Sequence, residues 1–335
     1  MSSILEHNKM VFKTDTGFDY PEFYDYYERT VASVWRHQEV AMEGDLRDWQ
    51  FNSTPDERAV IAGILKGFVS AELGIGCYWA NEVCSIFPKP EIQAMARAFS
   101  FFETIHAAAY SYLNDVLGLN EYEEFINDGI ACSKIDTFFQ KYPSKVALAV
   151  FSGAGEGVSL FSSFAVLLSF NKDGRYKGLA QIISWSAIDE ATHSEAGCLL
   201  FRRLVEETGL NAEDRDAIYE GFGLVVEKEF AFIDHIFNSS QISSIDAESL
   251  KAYITNRANE RLITLGLEQA FSLSTEEFSR AKLLAAWFDP MIKGASSSDF
   301  FAQSKSGDNY VAKPAQDYMS VDLTDLDLNS CLSYQ

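Results

Sequence analysis

Apolar residues return every three to four positions over most of this chain, the spacing of helix faces rather than of strands. The first long run opens at Ser53-Thr54-Pro55-Asp56-Glu57, where a capping candidate precedes a first-turn proline and two acids at the positive end of the helix dipole. It predicts a helix to about Ile86. Pro88 and Pro90 break it, and a second helix is predicted from about Glu91 to Leu117, stopped by Gly118. After a polar connector rich in Glu, Asn and Asp, Tyr142-Pro143-Ser144 opens a third helix to about Ser169. Asn171-Lys172-Asp173-Gly174 reads as a turn, and a fourth helix runs from about Gly178 to Glu207, before Gly209. Two more are predicted at about 212–238 and 247–272.

Long helices with mostly short connections describe an all-α bundle, and no alternating strand pattern or repeat competes with it. The two ends differ from the body. Residues 1–50 carry Tyr20, Tyr24, Tyr26, Tyr27, Trp35 and Trp49 without a clear period, and are expected to wrap the body, residues 51–294. From Ala295 the chain turns to Ser, Asp and Gly, with no basic residue beyond Lys313, so 295–335 is expected to be a flexible acidic tail.

Composition narrows the partners. A chain of 335 residues with 47% hydrophobic content can bury a sizeable core. Its net charge of -22 disfavours nucleic acid and anionic membranes, whose phosphates it would repel. No uninterrupted apolar run of about 18 residues and no basic-then-apolar leader is evident, so a soluble, cytoplasmic protein is expected. Five cysteines, Cys77, Cys84, Cys132, Cys198 and Cys331, form no CxxC pair and read as reduced thiols.

Candidate chemistry lies inside the helices. Glu103, His106 and Tyr110 are spaced i, i+3, i+7 and share one helix face amid apolar neighbours, a burial that costs several kcal/mol unless something compensates it. Glu103-x-x-His106 recurs as Glu190-x-x-His193, and with five histidines in the chain chance gives fewer than one such pair. The two other bundle helices each carry a carboxylate among apolar or small residues, Glu72 and Glu156. One Glu from each of two helices and a Glu-x-x-His from each of the others is the pattern of a carboxylate-bridged dinuclear site in a four-helix bundle. Four carboxylates and two divalent ions nearly cancel, and the mixed N/O donor set suits iron or manganese.

In the order Glu72, Glu103, His106, Glu156, Glu190, His193, with Tyr110 after the first histidine, the chain resembles the small (R2, or beta) subunit of class I ribonucleotide reductase from Trp35 to the tail. The resemblance implies a ferritin-like helical bundle with a buried dinuclear metal site in its four-helix core. It implies that the oxygen-activated metals oxidise Tyr110 to a stable radical, which serves ribonucleotide reduction in a catalytic large (alpha) subunit. Two irons are the first expectation, with two manganese ions or one of each as alternatives, and with manganese a flavodoxin-like activase. Trp35, Asp189 and His106 match the family's radical route. Tyr318 is the candidate tail relay, with Tyr310 and Tyr334 as alternatives. Leu323, Leu326, Leu328 and Leu332 would anchor the docked tail on the large subunit, and a homodimer is implied. Glu72 departs from the aspartate common at that position, which leaves open the metal identity and whether Tyr110 or the metals hold the working oxidant. Another ferritin-like dimetal oxidase or desaturase would share the six ligands without needing Tyr110 or the tail. A ferritin-like iron store would need cage-forming surfaces instead.

Overall fold

The computed structural model describes residues 3–6, 17–119, 129, 133, 134 and 141–292, and among them there is no strand. The helices are α1 (Pro21–Ala32), α2 (Glu43–Arg47), α3 (Pro55–Ile86), α4 (Pro90–Leu117), α5 (Ser144–Asp173), α6 (Lys177–Thr208), α7 (Ala212–Ser239), α8 (Ala247–Thr264) and α9 (Thr275–Ile292). Three of them run into π-helical turns, α2 at its end over Asp48–Asn52, α3 over Tyr78–Val83 and α5 over Val150–Ser159.

The starts and stops follow local chemistry. Thr54 Oγ1 accepts from the Glu57 N–H at 3.1 Å while Glu57 Oε2 accepts from the Thr54 N–H at 2.8 Å, a reciprocal capping box ahead of Pro55. The same Glu57 carboxylate binds both terminal nitrogens of Arg175, at 3.1 and 2.9 Å, which ties the start of α3 to the turn before α6. Gly118 ends α4 at φ 73°, a left-handed conformation that glycine adopts without the Cβ penalty.

The core is a bundle of α3, α4, α5 and α6. α3 packs along α4 and α5 along α6, while α7 and α8 cover the other sides of α5. Every residue from 148 to 170 is buried, which explains why α5 is apolar or small all round. Both α3 and α5 contain stretches apolar enough to cross a membrane by length and composition, against the expectation that no such run exists; the stretch in α5 is wholly inside the protein, as a core helix is. Cys77, Cys84 and Cys198 are free thiols, as expected, and Cys132 and Cys331 lie outside the described residues.

Two elements differ from the sequence expectation. The aromatic segment before residue 50 contains α1, whose Phe23, Tyr26 and Thr30 face inward and which packs on α4. The helix expected to reach about 272 stops at Thr264, where Gly266 at φ 82° turns the chain and α9 begins after Ser274. Ser274 and Glu277 form a second reciprocal cap, at 2.7 and 3.2 Å, a signal present in the sequence as Ser-Thr-Glu-Glu. The expected tail, with Tyr310, Tyr318, Tyr334 and the four leucines, lies outside the described residues.

Candidate metal centre

Each core helix supplies its part from mid-length. α3 brings Glu72, α4 brings Glu103 and His106 one turn apart, α5 brings Glu156 within its π-helical segment, and α6 brings Glu190 and His193. Close packing sets their depth: a Cβ on Gly76 of α3 would stand 3.1 Å from the Glu103 Cβ, so the absence of a side chain there lets α4 approach. All six residues are buried, none more than 1% exposed.

The six form two overlapping groups, Glu72, Glu103, His106 and Glu190, and Glu103, Glu156, Glu190 and His193, with ligand-capable atoms within 4.8 Å of one another in each group. Glu103 and Glu190 belong to both. The Glu103 carboxylate sets Oε1 2.8 Å from His193 Nδ1 and Oε2 3.3 Å from His106 Nδ1. The Glu190 carboxylate sets Oε1 2.9 Å from His106 Nδ1 and Oε2 3.7 Å from His193 Nδ1. Each bridging residue therefore offers one oxygen to each half. Glu72 Oε2 stands 3.8 Å from His106 Nδ1, and Glu156 belongs to the His193 half.

These contacts are close without being aligned as hydrogen bonds. Seven of the eight carboxylate oxygens and both Nδ1 atoms are buried without a hydrogen-bond partner. Leaving so many charged or polar atoms unsatisfied costs several kcal/mol apiece, and a pair of cations is what this donor set fits. The titration behaviour carries the same demand for positive charge. Burial first, then the neighbouring Glu103 and Glu190, pushes the Glu72 and Glu156 carboxyls well above the usual carboxylate range. Burial opposes the charged imidazoles, yet the surrounding carboxylates hold His106 and His193 well above the usual histidine value. Burial likewise raises Glu103, but His193 and His106 outweigh it and leave its carboxyl below the usual range.

The outer contacts extend the site to both sides. His106 Nε2 lies 3.1 Å from Asp189 Oδ2, and the same oxygen accepts from Trp35 Nε1 at 2.8 Å. The Trp35 ring stacks over His106 at 5.8 Å between centroids. Tyr110 is buried, its ring 6.3 Å from that of His106 and 4.8 Å from that of Phe68. Its hydroxyl lies beside Ser186 without an aligned hydrogen bond, since Ser186 donates to the Ile182 carbonyl; burial pushes the phenol well above its usual pKa. The structure thus brings together nine of the ten residues singled out in the sequence, and Tyr318 lies outside the described residues. Sequence reasoning missed Trp79, whose Nε1 donates to Glu156 Oε1 at 2.5 Å. The available signal was its place seven residues after Glu72, close to the same helix face.

A family model described as ribonucleotide reductase, small chain, matches residues 16–277. A probable ribonucleoside-diphosphate reductase small subunit of Invertebrate iridescent virus 6 is 29% identical over 301 residues, covering 76% of this chain and 83% of the viral protein. Among solved structures, the ribonucleotide reductase Rnr4 homodimer of Saccharomyces cerevisiae matches with a TM-score of 0.69 at 21% identity, over 84% of this chain and 91% of the yeast chain. Dimanganese(II)-NrdF of Streptococcus sanguinis matches with a TM-score of 0.69 at 17% identity, over 83% and 99% of the two chains. At these identities the two structures speak for the fold, a ferritin-like helical bundle.

Proposed function

The chain belongs to the family of ribonucleotide reductase small chains, and from that premise we propose that its six buried donors hold a dinuclear metal centre whose oxidising equivalent is stored on Tyr110 and handed to the large subunit. The observation that carries the reading is the paired bridge, in which Glu103 and Glu190 each turn one oxygen toward each histidine. One position is lined by Glu72, Glu103, Glu190 and His106, the other by Glu103, Glu156, Glu190 and His193. The nitrogen and oxygen donors fit iron first, with manganese or a mixed pair as alternatives. When bound, the metals supply the oxygen-derived oxidising power that no side chain here provides.

The chain's own residues do the rest. Tyr110 is the side chain on which the centre's oxidising power would act, and its full burial against Phe68 keeps it from solvent. Asp189 accepts from Trp35 and holds His106 through Nε2, which fixes the imidazole so that Nδ1 faces the centre. The same three residues form a continuous line of contacts from the centre to Trp35, the route by which the oxidising equivalent leaves. Tyr318 in the acidic tail completes the relay, and the tail docks on the large subunit, which reduces a ribonucleoside diphosphate. If the metals are manganese, a flavodoxin-like activase delivers the oxidant. The protein works in the cytoplasm.

A homodimer suits the outer side of α3 and α4, which meet where Gly76 faces Ser100 and Glu103. Leu73 of α3 and Phe101 of α4 are 60% and 53% exposed, and a partner chain seated on them would take their apolar surface out of water.

Reconstitution with iron or manganese, followed by oxygen or superoxide, tests the reading by paramagnetic resonance. Wild type should give a tyrosyl signal that Tyr110→Phe lacks, with reductase activity lost in the variant. Full activity and an unchanged metal-centred signal in Tyr110→Phe would remove Tyr110 from the mechanism. Deleting residues 316–335 should abolish turnover with the large subunit while metal content stays at wild-type level, and retained turnover would refute the tail's role.

A further inference from the structure

The four carboxylates of the centre are not equivalent. Glu72, Glu103 and Glu190 each keep both oxygens without a hydrogen-bond partner, whereas Glu156 keeps only Oε2. Its Oε1 is taken by the indole N–H of Trp79, a residue with no exposed surface. We infer that Trp79 is a positioning residue that restricts Glu156 to a single donor oxygen and so makes the His193 half of the centre poorer in donors than the His106 half.

The indole cannot easily be turned aside. Its ring meets Phe99 edge-on at 5.0 Å and Phe151 edge-on at 5.8 Å, and it is borne on the π-helical turn of α3. Glu156 is borne on the π-helical segment of α5, so the hydrogen bond joins the two irregular turns of the core. On its far side, α5 is held by Arg257, whose Nε donates to the carbonyl of Gly157, the residue after Glu156. Glu156 therefore sits on a turn fixed from behind, with one oxygen fixed in front.

Counting donors gives the consequence. The bridging residues offer one oxygen to each half, and each half has one imidazole Nδ1. Glu72 adds two unpartnered oxygens to the His106 half, and Glu156 adds one to the His193 half. The His193 half therefore has one donor oxygen fewer than the His106 half. A hydrogen-bonded indole also withdraws charge from the oxygen it touches, which weakens the competition of Oε1 for a cation.

The inference rests on the dinuclear reading, and its test separates the two. Trp79→Phe removes the N–H, and replacement of Trp79 by β-(3-benzothienyl)alanine removes it while keeping the bicyclic shape, which guards against a simple packing defect. Phe151→Leu is the control that disturbs packing and leaves the hydrogen bond. Each protein is titrated with Mn(II), followed by paramagnetic resonance and by infrared spectra of the carboxylate stretches, with Glu156→Gln identifying the bands of that residue. Wild type should bind two ions in separate steps, and the Glu156 band pair should show the wide splitting of one-oxygen binding. In both N–H-free proteins the splitting should narrow, and the second step should move about tenfold to lower free Mn(II). Phe151→Leu should keep the wild-type splitting. Wild-type splitting and steps in the N–H-free proteins, or a weakening of both steps matching Phe151→Leu, would overturn the role of Trp79. Failure of wild type to bind two ions would instead count against the dinuclear centre.

Discussion

At the scale of single residues, the centre divides into carboxylates that serve both halves and carboxylates that serve one. Glu190 stands 2.9 Å from one histidine and 3.7 Å from the other, whereas Glu72 meets only His106. Glu190→Gln should therefore cost both metal positions, and elemental analysis should find fewer than one ion per chain after reconstitution. Glu72→Gln should spare the His193 position and retain about one. Retention of two ions by Glu190→Gln would refute its bridging role. Glu190 was legible because Glu-x-x-His is a local pattern that a helix turns to one side, and Glu72 because it stands among apolar and small residues. Their division into bridges and single-sided ligands was not, since it depends on which oxygen of a rotatable carboxylate faces which imidazole across a helix interface.

At the scale of elements, the bundle stands on how its helices begin. Glu57 caps α3 and pairs with Arg175 at once, and the Arg175 hydrogen bonds, with those from Thr54, hold its carboxyl below the usual range despite burial. Glu57→Ala should destabilise the protein by about 2 kcal/mol at neutral pH, from the loss of a capping partner and a charge-assisted pair. Because the folded-state pKa is lowered, the contribution is complete above the ordinary glutamate value of about 4.3 and fades as pH falls through the folded value. Denaturant midpoints of wild type and variant should therefore converge on acidification, and a gap that persists or widens would show that the carboxylate is not the source. The start of α3 at Thr54-Pro55 was readable from sequence because capping is local. The widening of α3 at Tyr78–Val83 and of α5 at Val150–Ser159 was not, since no short pattern distinguishes a π turn from the helix around it.

At the scale of the whole molecule, a chain of net charge -22 leaves several large apolar side chains exposed, and two of them lie on the helices of the candidate metal centre. Leu73 and Phe101 are exposed on neighbouring helices that also carry Glu72 and Glu103, so the proposed dimer face backs directly onto the metal site. Phe101→Glu should place a charge in that face and shift the protein to monomer in sedimentation equilibrium, with two metal ions per chain retained. An unchanged dimer would place the interface elsewhere.

By itself the sequence determined the helical class and the limits of α3, α4 and α6 to within a few residues, and its spacing put Glu103, His106 and Tyr110 on one helix face and Glu190 and His193 on another. These rest on spacing along one helix or on chemistry within one turn, whereas Glu72 and Glu156 stood out by their apolar neighbours and Trp35 and Asp189 only by the resemblance to the family. The aromatic run that hides α1, and the early stop of α8 before α9, escaped because a short helix and a mid-run turn leave weak periodicity. Only the tertiary structure decided that Glu103 and Glu190 face both histidines, that Asp189 joins Trp35 to His106, and that Trp79 occupies one oxygen of Glu156. Those contacts cross between helices far apart in the chain, and their register is set by how closely the helices pack, at Gly76 and along the π turn of α5, rather than by the order of residues in any one of them.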